Sequence, residues 1–178
     1  MEVPRRLNLG CGNDLRDGYL NVDRSPEVGA DLVWDLNELP YPLPENHFEE
    51  ILALDVVEHL DSVVGFMEEA HRLLSPGGEI EITTPHFSCA NSFRDPTHRW
   101  HLSYFSFDYF CEGHGLAHYS KARFEIVRRE LAFHPTRLNR FVGWWARRDV
   151  ERYERRWCWS FPAWFLVFRL RAVKGQGD

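Results

Sequence analysis

The stretch Leu7-Asn8-Leu9-Gly10-Cys11-Gly12-Asn13 decides how the chain is read. A short apolar run stops at two glycines, the pattern of a strand entering a tight loop. Glycine at 10 and 12 lets backbone approach a ligand where a Cβ would collide, and leaves amide N–H groups at the strand's end. Alone, this pair of glycines is weak. The order of the downstream carboxylates sharpens it: residues 19–22 form a brief apolar run ending in Asp23, residues 30–34 another ending in Asp35, and the near-continuously apolar residues 48–57 carry Asp55. In an open parallel sheet such strand ends converge on one crevice, where ligands bind. A carboxylate at the second strand's tip accepts hydrogen bonds from both hydroxyls of a ribose. The competing reading is that each Asp merely caps a turn.

Working outward, Val63, Phe66, Met67, Ala70, Leu73 and Leu74 recur every three or four positions, predicting a helix over 61–75 with one stripe on the sheet. Ser75-Pro76-Gly77-Gly78 ends it, because proline breaks the hydrogen-bond ladder and glycine takes a left-handed terminal conformation. Residues 79–84 alternate into a strand closed by Pro85. Residues 86–115 read as loop plus short helix, and 122–131 and 165–173 as two last strands. Strands alternating with a helix give an α/β fold with a mostly parallel sheet.

A chain of 178 residues, 44% of them hydrophobic, fits one domain at roughly 100–200 residues each. No run approaches about 18 uninterrupted apolar residues, and residues 1–6 lack the apolar core of a secretory signal. The expectation is a soluble, cytoplasmic protein. Cys11, Cys89, Cys111 and Cys158 have no paired spacing and are read as reduced thiols. Residues 137–174 carry ten Arg/Lys against three acids, a charge of +7, while the rest carries eleven against twenty-four, a charge of −13. The same segment holds Trp144, Trp145, Trp157, Trp159 and Trp164, five of the seven tryptophans.

The glycine loop together with Asn21-Val22-Asp23, Trp34-Asp35-Leu36, Leu54-Asp55-Val56-Val57-Glu58-His59-Leu60 and Leu73-Leu74-Ser75-Pro76-Gly77-Gly78 resembles the class I S-adenosylmethionine-dependent methyltransferases. The resemblance spans residues 7–84. It implies a single methyltransferase domain over 1–178: a Rossmann-like, seven-stranded, mostly parallel sheet with a reversed final hairpin and helices on both faces. It also implies a cofactor, S-adenosylmethionine. Gly10, Cys11, Gly12 and Asn13 would line its methionine part, Asp23 the ribose, Asp35 with Leu36 the adenine, and Asp55 with Val56 the methionyl end, with Arg24 also at the cofactor. Three departures stand out. Asn8 occupies a place where the family often has an acid, and Asn13 replaces a third glycine. Only ten residues separate Gly12 from Asp23, so the first crossover shrinks to about a turn. With six residues before the first strand, the cofactor's cover is expected from elsewhere in the chain or from a partner. A nicotinamide fingerprint needs a third glycine where Leu15 stands and an acid about 20 residues on, and Asp23 comes too early.

Methyl transfer to a hydroxyl or protonated amine asks the protein to position the acceptor and remove a proton. His59, after the fourth strand, and His86, after the fifth, are the first candidate bases, each with a structural hydrogen-bonding role as its alternative. The segment 94–101 adds Asp95 and His98, and 86–120 is read as the acceptor-side lid. His98 and His101, joined by Asp95 or His86, are weighed as metal ligands, with hydrogen bonding the simpler reading, so no metal is expected. Tyr104, Phe105, Phe107, Tyr109 and Phe110 are read as packing that lid. The Trp/Arg-rich insertion at 137–164 is read first as the acceptor pocket's roof, then as a homo-oligomer contact, then as a membrane-surface contact through 137–174. Nucleic acid is disfavoured by the acidic balance and by the lack of an Asn/Asp-Pro-Pro-Tyr motif after the fourth strand. The expected activity is methyl transfer to a small-molecule or carrier-bound metabolite. Its alternative is a catalytically inactive, cofactor-binding regulatory or assembly subunit.

Overall fold

The computed structural model describes residues 3–175. Seven strands run β1 (Arg6–Leu9), β2 (Leu20–Asp23), β3 (Leu32–Val33), β4 (Phe48–Leu54), β5 (Leu74–Pro85), β6 (Phe124–Leu131) and β7 (Phe165–Ala172). They form one sheet in the order β3-β2-β1-β4-β5-β7-β6. The first five are parallel neighbours, and β7 is antiparallel to both β5 and β6, the expected reversed hairpin. Four α-helices join them: α1 (Val63–Leu73), α2 (Asn91–Arg94), α3 (Arg137–Ala146) and α4 (Val150–Arg156). No helix among the described residues is long and apolar enough to cross a membrane.

Side chains alternate across a strand, so the register assigns each residue to a face. Leu7 and Leu9 align with Ile51 and Ala53, these with Ile80 and Ile82, and these in turn with Leu170 and Phe168. All eight are buried in one apolar cluster, which also takes Phe66, Met67, Ala70 and Leu73 from α1, Ala146 from α3 and Tyr153 from α4. Each large side chain in such a cluster contributes about 1.5–3 kcal/mol. Ser62 caps α1 by accepting the Gly65 N–H at 3.0 Å.

The expectation of helices on both faces is met on one. On the other face Glu50, Glu79 and Glu81 of the central strands meet Arg169 and Arg171 of β7. Arg169 pairs with Glu79, with Glu50 at 3.2 Å and with Glu81 at 3.7 Å, and Arg171 reaches Glu79 at 2.9 Å. The reason is the short first crossover. In place of a helix, the loop after Gly10 folds over β1 and β2, held by the buried Asn8 and Asn21. Asn8 Nδ2 donates to the Asp14 carbonyl at 2.8 Å and to Asn21 Oδ1 at 3.1 Å, and Arg16 N donates to the same oxygen at 2.9 Å. An amide at position 8 supplies the donor that this clamp needs, and a carboxylate cannot.

Two boundaries move. β5 begins at Leu74 rather than 79, because Leu74 pairs with Phe48, and the irregularity before Glu79 pairs with Glu50 is taken up by the extra residues of β5. Gly78 is required there: a Cβ would lie 2.8 Å from the Phe48 carbonyl oxygen. β3 shrinks to two residues, as an edge strand supported only by β2.

Candidate active site

The carboxyl ends of β1 to β4 open on one cleft of about 310 Å³, lined by Gly10, Asp23, Arg24, Asp35, Leu36, Asn37, Asp55, Val56, His59, Leu60, Asp95 and Thr97. Gly10 takes φ +64°, and its Cα side is covered by Val56, so that a Cβ would sit 2.5 Å from Val56 Cγ2. The chain then turns tightly, with Cys11 N donating to the Val22 carbonyl at 3.0 Å. Gly12 has φ +48° and open space where a Cβ would stand. Its amide donates to Asp23 Oδ2 at 2.8 Å, and the Ser25 amide to Asp23 Oδ1 at 2.9 Å. Asp23 is thereby fixed at the tip of β2 with lone pairs to spare for hydroxyl donors.

Asp35 turns its own loop, Oδ1 accepting the Asn37 amide at 2.9 Å, and Asn37 Oδ1 accepts the Asp61 amide at 2.8 Å. Opposite, Asp55 has φ +57°, a left-handed conformation that Asp tolerates better than most side chains. Two bonds to β5 hold it: its amide donates to the Thr83 carbonyl at 3.0 Å and its Oδ1 accepts from Thr83 Oγ1 at 3.1 Å. Desolvation raises the Asp55 pKa, opposed by the Thr83 hydroxyl and the nearby His59 and His98.

A polar wall faces these groups. Asp95 Oδ1 accepts from Thr97 Oγ1 at 2.6 Å, and Thr97 Oγ1 meets His59 Nδ1 at 2.8 Å. The Thr97 hydroxyl and amide lower the Asp95 pKa, while desolvation, then His98, lower that of His59. His59 and His98 rings meet edge to face at 4.6 Å. Behind them Glu58 is 1% exposed, with its carboxyl pushed up to about 7 mainly by burial. The Thr84 hydroxyl is near enough to oppose that shift yet outside hydrogen-bonding geometry, so neither group has a partner.

Of the residues expected at the cofactor, Gly10, Asp23, Arg24, Asp35, Leu36, Asp55 and Val56 line the cleft, whereas Cys11, Gly12 and Asn13 do not. Cys11 is buried beneath the loop, and Gly12 acts through Asp23. Among the expected catalytic residues, His59, Asp95 and His98 come together. His86 does not join them. It is 0% exposed, its Nδ1 accepts the Ser88 amide at 3.1 Å, and its Nε2 faces Glu154 Oε1 at 3.0 Å, an oxygen that also accepts the Tyr104 amide. It fastens α4 and the lid to β5. His101 is likewise spent, stacked on Phe93 at 4.1 Å and bonded to Ser92 Oγ at 2.8 Å. Sequence reasoning does not single out Asn37, Leu60 or Thr97; the Asp-x-Asn turn and the Thr beside Asp95-Pro96 are their only local signals.

Nor does the 137–164 insertion roof this cleft, since none of its residues lines it. α3 and α4 pack around Tyr153 and Phe133, with Glu154 of α4 meeting His86 just past the end of β5. Leu138, Phe141 and Trp144 of α3 and Trp159 after α4 are exposed, at 62%, 65%, 51% and 68%.

A family model described as a methyltransferase domain matches residues 7–82. Demethylmenaquinone methyltransferase of Tropheryma whipplei (strain Twist) is 30% identical over 94 residues, which cover 52% of this chain and 38% of that enzyme. The chain therefore matches well under half the length of this curated relative. Among solved structures, a SAM-dependent methyltransferase from Archaeoglobus fulgidus superposes with a TM-score of 0.66 at 17% identity, covering 95% of this chain and 86% of that one. A second, from Mesorhizobium loti, gives 0.61 at 18% identity, covering 95% and 91%. Residues 7–82 are thus similar to a methyltransferase domain, and the whole chain shares the fold of these solved structures.

Proposed function

We propose that the cleft binds S-adenosylmethionine and that the chain transfers its methyl group to a small-molecule or carrier-bound acceptor entering along the Asp95–Thr97–His59 wall. The observation that carries this reading is the convergence of a left-handed glycine turn, a fixed carboxylate on β2 and a strained Asp55 on β4 at one cleft. The residues fit the cofactor: Asp23 is held by two backbone amides with lone pairs left for a ribose diol, and Leu36 and Val56 supply apolar walls. When bound, the cofactor supplies an electrophilic methyl. The chain's own part is positioning and proton removal. Thr97 gives its proton to Asp95 and accepts from His59 Nδ1, so His59 Nε2 is left as the basic atom at the cleft.

Incubation with methyl-labelled cofactor and a metabolite extract should yield a labelled product. Asp23→Ala should weaken cofactor binding by roughly 10- to 100-fold, since it removes hydrogen bonds to a charged group with a net worth of about 1.5–3 kcal/mol in total. Unchanged affinity would defeat the ribose assignment. Cofactor binding with no labelled product from any extract until a second protein is added would favour the cofactor-binding subunit instead.

The aromatic stripe of α3 supports a further element of this reading, an acceptor presented at an anionic lipid surface. Leu138, Phe141 and Trp144 lie three residues apart on one exposed face, and Arg148 sits over the Trp144 ring at 3.6 Å. Trp159 packs on Phe87 at 5.5 Å, just past the end of β5, which brings this surface to the same edge of the sheet as the cleft. The chain should co-sediment with vesicles containing anionic phospholipid and lose that binding in Phe141→Ser/Trp144→Ser. Equal recovery of both proteins with the vesicles would remove the surface from the account.

A further inference from the structure

Among the described residues, Glu58 is a buried carboxylate with neither oxygen paired, a state that is costly unless something else satisfies the two oxygens. Beside it stand two imidazoles. Glu58, His59 and His98 each offer one ligand atom, and these atoms lie within 4.8 Å of one another.

The outer hydrogen bonds decide which ring nitrogen is free to bind. The Ser92 carbonyl can only accept, so His98 Nδ1, 3.2 Å away, carries the proton. Thr97 Oγ1 gives its own proton to Asp95, so it accepts from His59 Nδ1. Each ring is thus held in the tautomer with an unprotonated Nε2. Outer-shell carbonyl and carboxylate partners that fix imidazole orientation in this way accompany metal-ligating histidines. Donors around a shared divalent ion lie about 3–4 Å apart, so side-chain shifts of about 1 Å would close the set.

We propose that Glu58, His59 and His98 bind one divalent first-row transition cation of the zinc or iron(II) class at the acceptor end of the cleft. Two imidazoles and one carboxylate are a borderline donor set, suited to such ions rather than to magnesium or calcium, which take oxygen ligands. A three-residue set leaves positions open, and His59 lines the cleft, so those positions face the acceptor. The inference rests on the proposed function for its location and adds the acceptor's class. The acceptor carries an oxygen that a Lewis acid holds and helps to ionise, such as a phenol or an enol. In the metal-bound chain His59 Nε2 is a ligand, and proton removal is assisted by the cation.

The test uses the full chain purified without a histidine tag and stripped with chelator. Zinc is titrated by calorimetry, and cobalt(II) by its visible absorption bands. One equivalent per chain is expected to bind, with His98→Ala and Glu58→Gln each weakening zinc binding by about 10-fold or more and His101→Ala leaving it unchanged. Absence of saturable one-to-one binding, or the same zinc affinity in His98→Ala, would overturn the proposal. His98 is half-buried, so its variant remains decisive if Glu58→Gln fails to fold. S-adenosylmethionine is titrated into the same stripped protein. Cofactor binding without zinc binding would end this inference and spare the proposed function, whereas zinc binding without cofactor binding would do the reverse.

Discussion

Gly10→Ala is expected to destabilise the chain by about 2–5 kcal/mol and to abolish cofactor binding in whatever fraction still folds. Two effects combine. An alanine at φ +64° carries the left-handed penalty, and its Cβ must occupy space 2.5 Å from Val56 Cγ2. Val56 is buried against the end of β4, so it cannot swing aside without opening the core or entering the cleft. The loss is a large share of the roughly 5–15 kcal/mol that a domain has in total. A second change separates the two causes. Val56→Ala in the Gly10→Ala background relieves the clash and recovers part of the stability, while the backbone strain stays. Gly12→Ala is the contrast, for its φ of +48° is strained but its Cβ meets nothing within 4 Å, so the stability loss is about 1–2 kcal/mol. Urea midpoints of the four proteins check this order. Gly10→Ala as stable as Gly12→Ala would mean that Val56 does not press on the loop.

His59→Ala should lower kcat by about 100- to 10,000-fold, the range for loss of a positioned acid–base group. The dissociation constant for S-adenosylmethionine should change little, because in the proposed reading Asp23, Asp35 and Leu36, rather than His59, hold its ribose and adenine. Truncating the polar wall from its far end is gentler. Thr97→Val breaks the chain from Asp95 to His59 but leaves the imidazole in place, so kcat falls less. The same ordering holds whether Nε2 takes the proton itself or holds a cation. If His59→Ala kept full turnover, the acceptor wall would have to be moved elsewhere.

How much of the molecule is legible in its sequence depends on how local each signal is. Gly10 and Gly12 after an apolar triplet, and Asp23 and Asp35 at the ends of short apolar runs, announce strand tips through chemistry confined to a few residues. Those tips are where the structure opens its cleft. His86 looks like a candidate base in sequence because its meaning lies in Glu154, on a helix after β6, and nothing near residue 86 announces that partner. The Glu58 cluster is hidden for the same reason: His98 arrives from the segment beyond β5, and sequence spacing groups it with His101 rather than with Glu58 and His59. The bare charged face is half visible. Glu79 and Glu81 alternate with Ile80 and Ile82, and Arg169 and Arg171 with Phe168 and Leu170, a pattern of one dry and one wet face. The family resemblance implies helices on both faces, and the ten-residue crossover is the local signal against it. The insertion's composition is plain, but its distance from the cleft depends on how α3 and α4 pack, which composition does not encode.

Calorimetric titration of the purified chain with S-adenosylmethionine is the decisive measurement. One cofactor per chain at micromolar affinity is predicted, weakened in Asp23→Ala. Absence of any binding heat up to millimolar cofactor, from a chain that unfolds cooperatively, would contradict it.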